Sequence, residues 1–369
     1  MKILIVHASA GGGHRAAAIA LSAGFKDKYP DVKVEVLDIL QFNNPVFTYF
    51  YSVGYSILAI YLKFIWMALY YLSSYTFVRG IFQFISLVHS QRFVNYLIRE
   101  NPDVILSTHF LPPFIASCLK LKNKISSRLV TVITDFRAHP IWITSKCDNY
   151  VVACDYTVRD LLRRGVDEAK IKVLGIPVDK QFVDLGKGRG IGIGIGRDMG
   201  KENSAAEGEF RVLLATGSLG FMLMEDIADM LHNEVKMTIV CGRNKFLFKR
   251  LKKKNYSNVT LLGFTDQMPE LMSKASLLIT KPGGLSISES LVMQIPLIFI
   301  DGIPGQESGN SEVLVRSGCA WQARRLEDIR DIVMDLKNNR QRVDLLRGNI
   351  QKIRKPDAAQ EICKLCMLK

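Results

Sequence analysis

Acidic residues are in short supply in this chain. Its 369 residues carry 35 Asp and Glu against 49 Lys and Arg, a formal net charge of +14, and no carboxylate stands between Asp38 and Glu100. Such a surplus favours an anionic partner: nucleic acid, a phosphorylated substrate or an acidic membrane surface. No tract of interleaved basic and aromatic residues resembles a nucleic-acid module, and no zinc-finger spacing occurs, so no nucleic-acid partner is expected. Also missing is a long apolar leader with a small-residue cleavage site, which argues against export. The 7 cysteines are scattered and odd in number, the pattern of reduced cytosolic thiols rather than a disulfide framework. Cys363 and Cys366 form a CxxC with no second pair or histidine nearby, and read as incidental. No Asp-x-Asp pair stands at a crevice strand end, so neither a metal nor a cofactor is expected.

What is present suffices for two ordinary domains. The length allows two full hydrophobic cores, and a hydrophobic content of 48% excludes wholesale disorder. In the first half, Lys2–Ala8, Val32–Leu37, Val104–Ser107, Leu129–Thr134 and Tyr150–Ala153 read as strands, with Arg15–Lys28, Phe93–Arg99 and Tyr156–Arg164 as helices. This alternation predicts an α/β fold with a doubly wound parallel sheet, whose ligand crevice lies beyond the carboxyl ends of its strands. A glycine-dense stretch from Gly186 to Gly200, followed by polar residues to Glu209, reads as a linker or loop. The pattern restarts with strands at Arg211–Ala215, Lys236–Cys241, Val259–Leu262, Ser276–Thr280 and Leu297–Ile300, and a mostly helical C-terminus from about Asn310. The expected organisation is a first domain over 1–180, the glycine-rich linker over 181–209, a second domain over 210–350 and a terminal helix over 351–369.

The acid-free stretch is also the greasiest. Val46–Leu62 and Phe64–Leu72 are dense in aromatic and aliphatic side chains, interrupted only by Lys63 before Arg79. A membrane span needs about 20 apolar residues, but a single span would place the two halves on opposite sides of a bilayer and a hairpin would bury Lys63. Ordinary core is a second reading. The preferred one is an interfacial element over about 45–90 whose aromatic face enters the headgroup layer, where Trp and Tyr are favoured. The run Lys249-Arg-Leu-Lys-Lys-Lys254 is a solvated helix face or a second contact to anionic lipid.

The strongest chemical signal is Ile279-Thr-Lys-Pro-Gly-Gly-Leu-Ser-Ile-Ser-Glu289, followed by Pro304-Gly-Gln-Glu-Ser-Gly-Asn310. A strand running through Gly283 and Gly284 into a helix lets backbone N–H groups and the helix N-terminus meet an anion. Glu289, about one turn into that helix, can accept hydrogen bonds from two vicinal hydroxyls, as on a ribose. Gln306, Glu307 and Asn310 can read a hydroxyl-rich ring. Phosphate cradle, ribose carboxylate and sugar reader together suggest a nucleotide-sugar site. In the first half, Gly12, Gly13 and His14 stand at the first strand-to-helix turn, where a histidine can act as general base. Thr134-Asp-Phe-Arg-Ala-His-Pro-Ile-Trp142 puts Asp135 and His139 at the carboxyl edge of the same sheet, although a buried turn is an alternative.

With these motifs the chain resembles the monogalactosyldiacylglycerol synthases and processive diacylglycerol glucosyltransferases, more distant kin of the lipid-linked N-acetylglucosaminyltransferase of peptidoglycan synthesis. The resemblance also rests on Gly175-Ile-Pro-Val178 and Cys241-Gly-Arg-Asn244, and covers nearly the whole chain. It implies the GT-B architecture, two Rossmann-like domains facing across a cleft, with the acceptor on the first and a UDP-sugar mainly on the second. By resemblance His14 is the catalytic base, and Asp135 and His139, grouped with it, are acceptor-side polar residues. Ser218, in a turn less glycine-rich than in some relatives, together with Gly283 and Gly284 would hold the diphosphate. Phe264 would hold the uracil, with Arg243, Met268 and Lys281 in the same donor site, and Glu289 the ribose. Gln306 and Glu307, with Asn310, would hold the hexose. The implied activity is inverting transfer of glucose or galactose from UDP to the hydroxyl of diacylglycerol or a glycosyl-diacylglycerol, at the cytoplasmic face of the cell membrane. Two alternatives are an N-acetylglucosaminyl transferase acting on a polyprenyl-linked precursor and a non-catalytic UDP-sugar sensor.

Overall fold

The computed structural model describes residues 1–9, 12–44, 54, 62–187, 209–217, 223–300 and 302–368. The glycine-rich stretch over 188–208, most of the first half of the aromatic insert, Gly11 and the turn residue Ser218 lie outside the described residues.

The N-terminal lobe is built on β1 (Lys2–His7), β2 (Lys33–Asp38), β3 (Val104–Ser107), β4 (Arg128–Val132), β5 (Asn149–Val152) and β6 (Ile171–Val173). All pair in parallel in the order β2-β1-β3-β4-β5-β6. β1 shows why: Ile3, Leu4, Ile5 and Val6 are all fully buried, with Ile3 and Ile5 in one core layer and Leu4 and Val6 in the other. A strand apolar on both faces needs helices on both sides, which is the doubly wound arrangement. The helices of this lobe are α1 (Gly12–Lys28), α2 (Lys63–Leu72), α3 (Thr76–His89), α4 (Gln91–Glu100), α5 (Leu111–Leu121) and α6 (Asp155–Leu162). The next helix, α7 (Lys180–Lys187), follows them in the chain but packs on the second lobe, where a Cβ on Gly186 would stand 2.6 Å from the Val292 carbonyl oxygen.

The C-terminal lobe carries β7 (Arg211–Ala215), β8 (Lys236–Val240), β9 (Val259–Leu262), β10 (Leu277–Thr280), β11 (Leu297–Phe299) and β12 (Ala320–Gln322), again all parallel, in the order β12-β11-β10-β7-β8-β9. Its helices are α8 (Leu223–Leu231), α9 (Lys245–Lys254), α10 (Met268–Lys274), α11 (Gly284–Val292), α12 (Gln306–Arg316), α13 (Leu326–Asn338) and α14 (Arg340–Ile353), and the chain ends in α15 (Ala358–Met367), which belongs to the first lobe's core. The two expected Rossmann-like sheets are present. β6 and β12, three residues each, escaped the sequence reading because so short a run has no period to detect. β12 also interrupts the C-terminal region expected to be mostly helical.

The lobes share a core. Phe136, Ile176, Val178 and Phe182 of the first pack with Ile287, Leu291, Val292 and Phe299 of the second in one buried cluster. The chain then returns: α15 lies on α1, where Gly24 leaves room for the Cys363 thiol, whose sulfur would stand 3.2 Å from any Cβ there. Arg128 Nη1 donates to the Leu365 carbonyl at 3.0 Å. Cys363 and Cys366 are buried and burial pushes both thiols up to about 12, so their place in this packing is apolar.

Candidate active site between the lobes

Each sheet has one point where strand order reverses, between β1 and β3 in the first lobe and between β7 and β10 in the second. Ligands of doubly wound sheets gather at such points. α1 starts just beyond β1 and α11 just beyond β10. The two helix N-termini abut: a Cβ on Gly13 would stand 3.4 Å from that of Leu285. His14, on the first turn of α1, and Glu289, on α11, are thus carried by the two helices that meet between the lobes.

His14 is held by β3's continuation. Its Nδ1 donates to the Thr108 carbonyl at 2.6 Å, and the Thr108 hydroxyl donates back to the His14 carbonyl at 2.8 Å. Thr134 Oγ1 approaches the same Nδ1 at 3.1 Å. With Nδ1 carrying the proton, Nε2 keeps its lone pair, and it has no hydrogen-bond partner among the described residues. Desolvation, aided by nearby His7, pushes the imidazole down to about 4, and the Thr108 carbonyl only partly offsets this. The ring is thus neutral at physiological pH and ready to accept a proton. Thr108 was absent from the sequence-derived site; its position at the carboxyl end of a strand beside the reversal point was the available signal.

Glu289 is the sixth residue of α11, deeper than the single turn expected. Its carboxylate makes no hydrogen bond or ion pair with the described residues, and desolvation, with Asp179 adding to it, raises it to about 8. The N-cap of α11 is Gly283, with no side-chain cap, so its first N–H groups remain available for an acceptor. Gly284 has a different reason for being glycine than the one expected. A Cβ there would lie 2.0 Å from the Thr134 carbonyl oxygen, so its missing side chain admits the other lobe's backbone.

Lys281 lies between the two glycine turns, its Cε 3.5 Å from where a Cβ on Gly217 would be. It pairs with Glu307 Oε1, while Glu307 Oε2 accepts from the Ile303 N–H at 2.7 Å. Arg243 stacks over the ring of Phe264 at 5.2 Å, and that ring is exposed. Met268 begins α10 and packs, partly buried, against the core the lobes share. Ser218, expected in the diphosphate turn, is outside the described residues.

The loop Thr134–Trp142 is where the structure departs most from a purely substrate-facing reading. Asp135 accepts from Asn310 Nδ2 at 3.2 Å and from Gln306 Nε2 at 3.3 Å. Asn310, wholly buried, also donates to the Pro282 carbonyl and accepts from the Phe136 N–H at 2.7 Å. Both Asn310 donors are engaged within the protein, so it clasps the lobes together instead of reading a sugar. Arg137 forms a bidentate pair with Asp160 at 2.7 and 3.0 Å and reaches Glu312 of the other lobe at 3.3 Å. Desolvation raises Asp135 to about 6. His139 accepts from the Ile141 N–H at Nδ1, which caps the short turn Pro140–Trp142, and its Nε2 donates towards the Tyr70 carbonyl at 3.1 Å, with Ser74 Oγ at 3.0 Å. Both ring nitrogens are occupied and burial lowers the ring to about 4. Its work here is positional, tying α2 to the cleft, and not proton transfer.

Comparison with known proteins gives the family. Residues 14–178 match the family model described as monogalactosyldiacylglycerol (MGDG) synthase, and 211–353 the glycosyltransferase family 28 C-terminal domain. A processive diacylglycerol beta-glucosyltransferase of Staphylococcus aureus (strain bovine RF122 / ET3-1) is 30% identical over 98% of this chain and 91% of its own length. The chain belongs to the monogalactosyldiacylglycerol synthase and processive diacylglycerol glucosyltransferase family. The corresponding protein of Staphylococcus haemolyticus is 29% identical with the same coverage. Among solved structures, Acinetobacter baumannii MurG superposes with a TM-score of 0.61 at 14% identity, covering 99% of this chain and 98% of that one. Anabaena Alr3699/HepE, solved with UDP and glucose, gives 0.55 at 15% over all of both chains. A UDP-GlcNAc 2-epimerase from Neisseria meningitidis also reaches 0.61 at 13%, over 99% of each. An epimerase on the same scaffold shows that the fold is GT-B but does not choose the reaction. The family does: this is a GT-B glycosyltransferase.

Proposed function

We propose that this glycosyltransferase moves a hexose from a UDP-sugar, UDP-glucose or UDP-galactose, to the hydroxyl of diacylglycerol or glycosyl-diacylglycerol, with inversion. The observation that carries the reading is His14, a neutral imidazole with a fixed tautomer and an Nε2 unpartnered among the described residues, on α1 beside the N-terminus of α11, which has no side-chain cap. Nε2 takes the proton of the lipid hydroxyl as its oxygen attacks the anomeric carbon. The C–O bond to the diphosphate breaks from the opposite side, giving a β-glycoside and UDP. The leaving charge is met by N–H groups at the start of α11 and by the Gly217 turn, with Lys281 between them. Glu289 receives the ribose hydroxyls, and the Arg243–Phe264 stack receives the base. No metal is assigned a role. The names of the relatives support diacylglycerol over a polyprenyl-linked acceptor, and the tautomer-fixed His14 argues against a non-catalytic sensor.

The acceptor arrives by way of α2 and α3. Phe77, Ile81, Phe84, Ile85 and Val88 form an exposed stripe at helical spacing along α3, Phe77 being 80% exposed. On α2, Phe64 is 84% exposed, alongside Ile65, Leu69 and Tyr71. Among the described residues no helix is long and apolar enough to cross a membrane. So much aromatic surface in water disfavours the core reading and favours insertion into the headgroup layer of the cytoplasmic leaflet. Lys252 and Lys253 at the end of α9 add basic charge to the second lobe.

Incubating the protein with diacylglycerol vesicles and UDP-glucose, UDP-galactose or UDP-N-acetylglucosamine in turn, then resolving products by mass spectrometry, tests the assignment. Hexosyl-diacylglycerol with a β-linkage is expected; turnover only with a polyprenyl acceptor, or with none, refutes it. Co-sedimentation with phosphatidylglycerol vesicles that is unchanged in a Phe64→Ser/Phe77→Ser variant would refute the docking face.

A further inference from the structure

One contact ties the greasy arm to the opposite lobe. Tyr70, near the end of α2, covers Gly305, the residue just before α12: a Cβ on Gly305 would fall 2.5 Å from Tyr70 Cδ1. Gly305 is independently confined to glycine by its backbone, with φ +87°. Beneath it the loop is folded tightly, since a Cβ on Gly302 would meet Glu307 Oε2 at 2.6 Å and Pro282 Cδ at 2.8 Å. Tyr70 is fixed from its own side as well. Its ring packs on His139 at 4.5 Å, and its carbonyl accepts from His139 Nε2 and, at 2.7 Å, from the Ser73 hydroxyl. The phenol hydroxyl has no hydrogen bond among the described residues. It lies near enough to Asp135 for that carboxylate to add to the upward shift that burial imposes on it.

We propose that Tyr70 is a positioning residue for the donor: by clamping Gly305 it sets the loop that presents Gln306, the first residue of α12, to the hexose, so the arm that brings the lipid also shapes the sugar end of the donor site. This deepens the UDP-hexose reading and rests on it. The clamp is assigned to the hexose and not to the uridine because Gly305 directly precedes Gln306 at the start of α12, whereas Phe264 follows β9 and Glu289 lies on α11.

Calorimetric titration of UDP, UDP-glucose and UDP-galactose into the full chain separates these roles, taking the tighter-binding hexose donor of the wild type as reference. Tyr70→Ala is expected to weaken that donor by roughly tenfold, the scale of one lost aromatic contact, while leaving UDP affinity unchanged. Tyr70→Phe, which keeps the ring on Gly305 and His139, restores donor binding. Equal loss of UDP and UDP-hexose affinity, no loss for either, or no rescue by phenylalanine overturns the assignment of Tyr70 alone. Failure of UDP to bind the wild type overturns the donor reading from which it starts.

Discussion

The two walls of the cleft use one local device for different ends. In both, a buried parallel strand ends at glycine and a helix begins at the reversal point of its sheet. On the first wall the helix carries His14 in its first turn, with Nδ1 anchored to a backbone carbonyl. On the second it carries Glu289 further in, with no partner among the described residues. Desolvation discourages charge on both, but that moves the histidine down to about 4 and the carboxyl up to about 8. One lobe thus offers a neutral base at physiological pH, and the other a neutral acid that a bound ribose would have to ionise. Position along the helix and sign of the group, not the fold, separate the base proposed on one wall from the recognition carboxyl proposed on the other.

The comparison breaks most visibly at the base. His14→Ala is expected to lower turnover by about 10²–10⁴-fold with UDP affinity nearly unchanged, measured by glycolipid formation alongside calorimetry. Near-normal turnover removes the base assignment. On the other wall Glu289→Ala should weaken UDP binding by roughly 10–100-fold through loss of hydrogen bonds to a charged group; a variant altered in turnover alone contradicts the ribose role.

A subtler test uses protons. If the ribose binds the carboxylate form, UDP binding below pH 8 must release the Glu289 proton. Affinity should then rise with pH up to about 8 and level off above it, with proton release visible as buffer-dependent heat. Glu289→Gln should flatten that profile. His14 is shifted the other way: unprotonated down to about 4, it should give kcat at saturating donor an acid limb well below the ordinary histidine range. A limb near 6.5 would mean the imidazole is far better solvated than its packing indicates. The smallest effect concerns the clasp: Asn310→Ala leaves Asp135 and the Phe136 N–H short of partners, and should cost about 1–3 kcal/mol of stability by chemical denaturation.

Much of the fold was legible because its strands are short β-branched runs buried on both faces, set between amphipathic stretches. Arg211–Ala215 and Val259–Leu262 agree with the observed β7 and β9 to the residue. The placement of candidate residues was legible where a local motif fixes a strand-to-helix turn, as at His14 and at Gly283 through Glu289. It was misread where the same polar residue suits substrate or neighbour. Asn310 and His139 read as substrate-facing, yet their hydrogen bonds go to the other lobe and to α2, because a buried amide or imidazole takes whichever partners close packing supplies.

The order of residues alone determined the two α/β lobes and marked His14 and Glu289 as candidates for base and ribose carboxylate, since periodicity and turn chemistry are local properties that need no partner to be read. Only the tertiary structure decided that Gly284 makes room for the Thr134 carbonyl, that Thr108 fixes the His14 tautomer, and that Tyr70 covers Gly305. Each of those is a contact between segments about a hundred or more positions apart, and packing in three dimensions, not sequence spacing, is what brings such groups within a few ångströms.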